Sequence, residues 1–274
     1  QTCVLPNGLE TRLGAFNATY NHFFEWLKVN SEKERPDRQA LKEAGTVGES
    51  SVRYFIDGLL QKGRLIDYIE NFIMFRNQKN KIIAKNHQYF GVNNLMESVK
   101  NRAELQGKLG VFWHTQGSGK SFSMVFFARK VRRKISGNFT FLIITDREDL
   151  DDQIHKNFVK TEVIGQKEEC QPKNGKQLRD YLQTNKSFIF TLIHKFRYDK
   201  GKKYPVLSTR DDIIVLVDEA HRTQYKDLAE NMRTALPNAN YIAFTGTPLL
   251  GSKRLTNQWF GNYVSEYNFA QSVE

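Results

Sequence analysis

The residues with chemistry to offer begin at Leu109-Gly110-Val111-Phe112-Trp113-His114-Thr115-Gln116-Gly117-Ser118-Gly119-Lys120-Ser121. A short apolar run ends in a glycine-containing loop, and the loop enters a helical pattern. Gly117 and Gly119 let the backbone curl so that its N–H groups, from Thr115 to Ser121, face inward. With the positive end of the following helix, these donors suit a polyphosphate. Lys120 would reach the β- and γ-phosphates, and the Ser121 hydroxyl would hold Mg²⁺. His114 stands where the usual phosphate-loop pattern has glycine.

A second constellation lies about a hundred residues on. The apolar run Ile213-Ile214-Val215-Leu216-Val217 delivers Asp218-Glu219-Ala220-His221 to its end. Paired acids at the end of a buried strand are what a Mg-nucleotide site needs. Asp218 would hold the coordination shell of the metal, and Glu219 would orient the attacking water as general base. A third run ends in Thr245-Gly246-Thr247-Pro248, whose hydroxyls would lie beside the acids and sense the γ-phosphate.

The elements that must position these groups are legible. From residue 109 onward five short apolar runs appear: Leu109–Trp113, Phe139–Ile144, Phe188–Ile193, Ile213–Val217 and Tyr241–Phe244. They fit strands buried on both faces, as in a parallel sheet. Helical patterns at 120–134, 149–159, 175–184 and 224–235 lie between them. The alternation predicts an α/β fold with a mostly parallel sheet flanked by helices and right-handed crossovers. Ligands in such a sheet gather beyond the carboxyl ends of the strands.

Upstream the chain is less informative. Residues 30–50 are charged and interrupted by Pro and Gly, as in a surface connection. Leu65, Ile66, Ile69, Phe72 and Ile73 share one helical face, and so do Val92, Leu95, Met96 and Val99. The basic run Arg129, Lys130, Arg132, Arg133 and Lys134 reads as a solvated helix face, with a DNA-facing patch as the alternative.

Length and composition set bounds. The 274 residues allow one large or two modest domains. A net charge of +11 favours an anionic partner such as nucleic acid. Cys3 and Cys170 fit no metal spacing or disulfide framework and point to a reducing compartment. No apolar run approaches the roughly 18 residues of a membrane span, and no signal pattern opens the chain, so the expectation is a cytoplasmic protein without a membrane partner.

The order Gly-Ser-Gly-Lys-Ser, Asp-Glu-Ala-His, Thr-Gly-Thr-Pro resembles the first motor domain of superfamily 2 helicases and translocases. Lys85-Asn86-His87-Gln88-Tyr89, Phe112-Trp113-His114-Thr115-Gln116-Gly117, Thr145-Asp146-Arg147-Glu148-Asp149-Leu150 and Phe260-Gly261 extend the likeness. Together they resemble the restriction (R) subunit of type I restriction–modification enzymes, in which His114 is the normal residue. The resemblance implies a RecA-like P-loop NTPase domain preceded by a smaller mixed and helical segment. It divides the chain into 1–60, a nuclease-domain remnant and connector; 61–250, the first motor domain; and 251–274, a connector to a second motor domain not encoded here.

The resemblance also implies roles. Gln88 would read the adenine base of ATP. His221, Thr245, Gly246 and Thr247 would couple hydrolysis to motion. Thr145, Arg147, Thr191, His194 and Lys195 would touch the backbone of double-stranded DNA. Partners would be the methylation (M) and specificity (S) subunits, and the parent would translocate and cleave DNA using Mg-ATP. With the nuclease core and the arginine of the second motor domain missing, the chain alone would bind ATP and hydrolyse it poorly. Two other readings are a superfamily 2 helicase or remodelling translocase without nuclease, and a non-catalytic nucleotide- or DNA-binding scaffold.

Overall fold

The computed structural model describes residues 2–6, 10–34, 51–198, 204–218, 225–247 and 259–268, with backbone alone for 225–227. Contacts divide the chain into two compact units, residues 1–93 with 160–162, and residues 94–159 with 163–274.

In the first unit, β1 (Thr2–Pro6), β2 (Thr11–Ala15) and β3 (Phe24–Glu25) form an antiparallel sheet. Helices α1 (Ser51–Gly58) and α2 (Lys62–Asn71) follow, then a hairpin of β4 (Ile73–Arg76) and β5 (Asn80–Ile83). Trp26, fully buried, is the hub of this unit. Its ring meets Tyr68 edge-on at 5.6 Å and Tyr89 at 5.5 Å, while Phe72 and Tyr89 lie 4.7 Å apart. The polar tips are satisfied inside the cluster: Trp26 Nε1 donates to the Lys28 carbonyl and the Tyr68 hydroxyl to that of Ala84.

The face of α2 differs from the expected one. Tyr68 and Asn71 are buried, whereas Ile66 and Ile69 are 56% and 57% exposed. Ile73 belongs to β4. Three-to-four-residue spacing identified a helix, but the larger Tyr68 and Phe72 rings fill the aromatic cluster and rotate the isoleucines outward. Helix α3 (Asn86–Lys100) carries the chain from the first unit to the second, and Val92, Leu95, Met96 and Val99 are buried as expected.

The second unit contains β6 (Lys108–His114), α4 (Lys120–Lys134), β7 (Thr140–Thr145), α5 (Glu148–Lys160), α6 (Gly175–Gln183), β8 (Phe188–Leu192), β9 (Ile213–Asp218), α7 (Tyr225–Ala235), β10 (Asn240–Thr245) and β11 (Tyr263–Tyr267). The strands make one six-stranded parallel sheet in the order β11-β6-β10-β9-β7-β8. Every residue of β7, β8, β9 and β10 is buried, which is why these stretches read as continuous apolar runs.

Residues 61–93 pack with the N-terminal segment, and Tyr68 of α2 and Tyr89 of α3 both meet the Trp26 ring. The 251–274 segment includes β11, an edge strand hydrogen-bonded to β6. Gly110, at φ 126°, makes that approach possible, since a Cβ there would meet Val264 Cγ1 at 2.3 Å.

Candidate nucleotide-binding site

The phosphate-type loop links β6 to α4. Gly117 (φ 81°) and Gly119 (φ 87°) hold left-handed backbone that L side chains rarely adopt. Gly119 is the N-cap of α4, and the space a Cβ would occupy at Gly117 is open. The first-turn N–H groups of a helix lack intrahelical partners, and this first turn carries no acidic residue to compete with an anion. The backbone of Gln116, Gly117, Gly119, Lys120 and Ser121 is thus offered to an anion, while the Thr115 N–H donates to the Tyr267 carbonyl at 2.8 Å. The Ser118 N–H closes the loop on the Thr115 carbonyl at 3.2 Å. Lys120 Nζ donates to the His114 carbonyl at 3.1 Å, which holds the ammonium at the root of the loop.

His114 is the last residue of β6 and is fully buried. Its Nε2 lies 2.5 Å from Ser265 Oγ on β11, and its ring centroid is 3.9 Å from that of Phe112. Burial, and then the Lys120 charge, hold its pKa well below the ordinary histidine value, so the imidazole is neutral at pH 7. Sequence spacing carries no signal of the Ser265 contact, which spans 151 residues.

Asp218 ends β9 and is 6% exposed. In the sheet register Phe244 pairs with both Asp218 and Phe112, and Thr245 pairs with Trp113. The loop after β6, Thr245 and Asp218 thus share the carboxyl edge on three neighbouring strands. Two strand spacings separate β6 from β9, about 10 Å. Thr245 Oγ1 donates to the Thr247 carbonyl at 3.2 Å, which shapes the turn through Gly246. A hydroxyl at Ser121 and a carboxylate at Asp218 are oxygen donors of the kind Mg²⁺ takes. Glu219 and His221 lie outside the described residues, as does Pro248.

Other expected residues are distributed more widely. Gln88 belongs to the first unit, is 5% exposed, and its Oε1 accepts the Lys85 N–H at 2.9 Å, half of a capping box at the start of α3. Thr145 and Thr191 are fully buried at the ends of β7 and β8, so their side chains offer no surface to DNA in this conformation. Arg147 and His194 are exposed. Partial desolvation of its ring, and then the neighbouring charges of Lys195 and Arg197, lower the His194 pKa. Lys195 Nζ donates to the Pro172 carbonyl. In the basic run, Lys130 is buried while Arg132 lies 5.4 Å from the Phe188 ring, so this is a partly packed face rather than a wholly solvated one.

Cys3 and Cys170 are free thiols, and burial pushes that of Cys170 up to about 12. Among the described residues no group of three or more His, Cys, Asp or Glu could hold a metal, and no helix is long and apolar enough to cross a membrane.

Residues 87–274 match the SWI2/SNF2 ATPase family model, a span that includes the loop, Asp218 and the whole parallel sheet. The chain belongs to the SWI2/SNF2 ATPase family. As a SWI2/SNF2 ATPase it carries a RecA-like α/β domain with a nucleotide site. It is 36% identical to the Type I restriction enzyme HindI endonuclease subunit of Haemophilus influenzae, over all of this chain and 27% of that one. It is 34% identical to a Methanocaldococcus jannaschii protein assigned to the MjaIXP type I restriction enzyme as endonuclease subunit, over 97% of this chain and 26% of that one. The chain thus spans about a quarter of the length of these relatives. Its fold resembles that of the UvsW helicase from bacteriophage T4, with a TM-score of 0.51 at 13% identity over 97% of this chain and 98% of that one.

Proposed function

We propose that this SWI2/SNF2 ATPase chain is the ATP-binding part of a type I restriction endonuclease subunit, in which ATP hydrolysis drives movement along double-stranded DNA and supports its cleavage. The observation that carries the reading is the meeting of the loop at 115–121, Thr245 and Asp218 on one sheet edge. Restriction endonuclease relatives at 34–36% identity support the larger assignment.

The chain's own residues divide the work. Backbone N–H groups of Gln116, Gly117, Gly119, Lys120 and Ser121 bind the phosphates, Thr115 and Ser118 close the loop around them, and Lys120, standing on the His114 carbonyl, neutralises the β- and γ-oxygens. Ser121 and Asp218 hold Mg²⁺, which supplies charge neutralisation when bound. Glu219 orients the attacking water, and Gln88 selects adenine. Thr245, Gly246 and Thr247, with His221, pass the state of the γ-phosphate to the rest of the motor. Exposed Arg147 and His194 are the side chains best placed to meet a DNA backbone, with Lys195 beside His194 and the Thr145 hydroxyl donating to the Arg147 carbonyl in the turn after β7. M and S subunits supply site choice, and the setting is the cytoplasm.

Titration of the chain with a fluorescent ATP analogue and Mg²⁺ tests the site. Lys120→Ala is expected to weaken binding by at least tenfold. Equal affinity in the two proteins removes the assignment.

A further inference from the structure

The contacts at the end of β6 reach further than the loop. Among the described residues β11 is an edge strand whose one neighbour in the sheet is β6. It is fastened near the root of the phosphate loop by three links. Ser265 Oγ meets His114 Nε2 at 2.5 Å, the Thr115 N–H donates to the Tyr267 carbonyl at 2.8 Å, and Tyr267 pairs with His114 in the register. Ser265 is 2% exposed and His114 fully buried, so water does not substitute for either partner. The carbonyl of this same histidine accepts Lys120 Nζ. On its other side the β6 end touches β10, where the Phe112 and Phe244 rings lie 4.8 Å apart, one residue before Thr245.

We infer that His114 and Ser265 form a positioning pair that transmits the placement of β11 to the phosphate loop and so sets where Lys120 stands. The inference rests on the nucleotide-binding reading of that loop. β11 cannot slide along β6 without moving the imidazole, and the imidazole cannot move without carrying the carbonyl that holds Lys120 and the amide that begins the loop. Chain movement downstream of residue 245 thereby reaches the nucleotide through a strand that carries none of the phosphate ligands. It also accounts for histidine at 114: glycine there would leave Ser265 without an imidazole partner.

A double-mutant cycle between Ser265→Ala and Lys120→Ala tests this, read as affinity for ATP and Mg²⁺, with thermal unfolding of the free chain measured in parallel. Ser265→Ala is expected to weaken binding about tenfold in the wild-type background and less than twofold in the Lys120→Ala background. Ser265→Cys, similar in size and a weaker hydrogen-bonding group, is expected to fall between serine and alanine, and it replaces the alanine variant if that one does not fold. The inference is overturned if Ser265→Ala binds ATP like wild type, or if it weakens binding by the same factor in both backgrounds. Failure of the underlying reading shows separately, as identical affinity of wild type and Lys120→Ala.

Discussion

At the scale of single residues, the site depends on backbone that only glycine adopts readily and on a histidine kept neutral. Gly119 caps α4 at φ 87°, so Gly119→Ala strains the loop. Its cost is expected to be about 1–2 kcal/mol in stability, with a larger loss of ATP affinity, measured by denaturant unfolding and titration. His114 makes stability depend on pH. Its folded pKa lies well below 6.5, so the unfolded chain binds the proton first as pH falls. Its contribution is complete above about pH 6.5 and declines below it, by up to about 1.4 kcal/mol per pH unit. The expected outcome is a melting temperature that falls between pH 6.5 and 5.5, with a shallower slope in His114→Gln. An unchanged slope in that variant would assign the dependence to another group, such as His155, whose pKa burial also lowers.

At the scale of elements, two joints are decisive. Gly110 lets β11 lie against β6, and Gly110→Val would drive a side chain into Val264 and the Asn262 carbonyl. Loss of β11 pairing is expected, seen as faster amide hydrogen exchange at Val111 and Thr115, whose N–H groups donate to Asn262 and Tyr267. In the first unit, Trp26→Ala empties the centre of the aromatic cluster. A cost of about 3–5 kcal/mol is expected for that unit's unfolding. A melting curve superimposable on wild type would contradict the cluster's role.

At the scale of the whole molecule, the chain's charge and edge geometry meet. The +11 net charge favours a polyanion, and Arg147 is exposed just beyond the end of β7. In the full-length protein, Arg147→Ala is expected to weaken duplex binding without sequence preference and to lower the salt slope by about one unit. Glu219→Gln in the full-length protein is expected to retain ATP binding and lose steady-state hydrolysis by at least a hundredfold; unchanged hydrolysis would favour a scaffold role.

What the amino-acid order determined by itself was local. Gly117-Ser118-Gly119-Lys120 and Asp218 could be placed at strand ends because chain connectivity alone makes a loop follow a strand. Continuous burial wrote five of the parallel strands as apolar runs. Tertiary structure decided what depends on distant partners. Strand order put β10 between β6 and β9 and so set the spacing of Lys120 and Asp218. Edge position allowed β11 to be polar and hid it. The β4–β5 hairpin turns through Asn77 and Gln78 at φ 53° and 57°, where the usual glycine signal is missing. The α2 face followed the volume of the aromatic cluster rather than the isoleucine stripe. The burial of Thr145 and Thr191 and the meeting of His114 with Ser265 arise because a parallel sheet brings together residues that are remote along the chain, and local periodicity carries no record of such pairings.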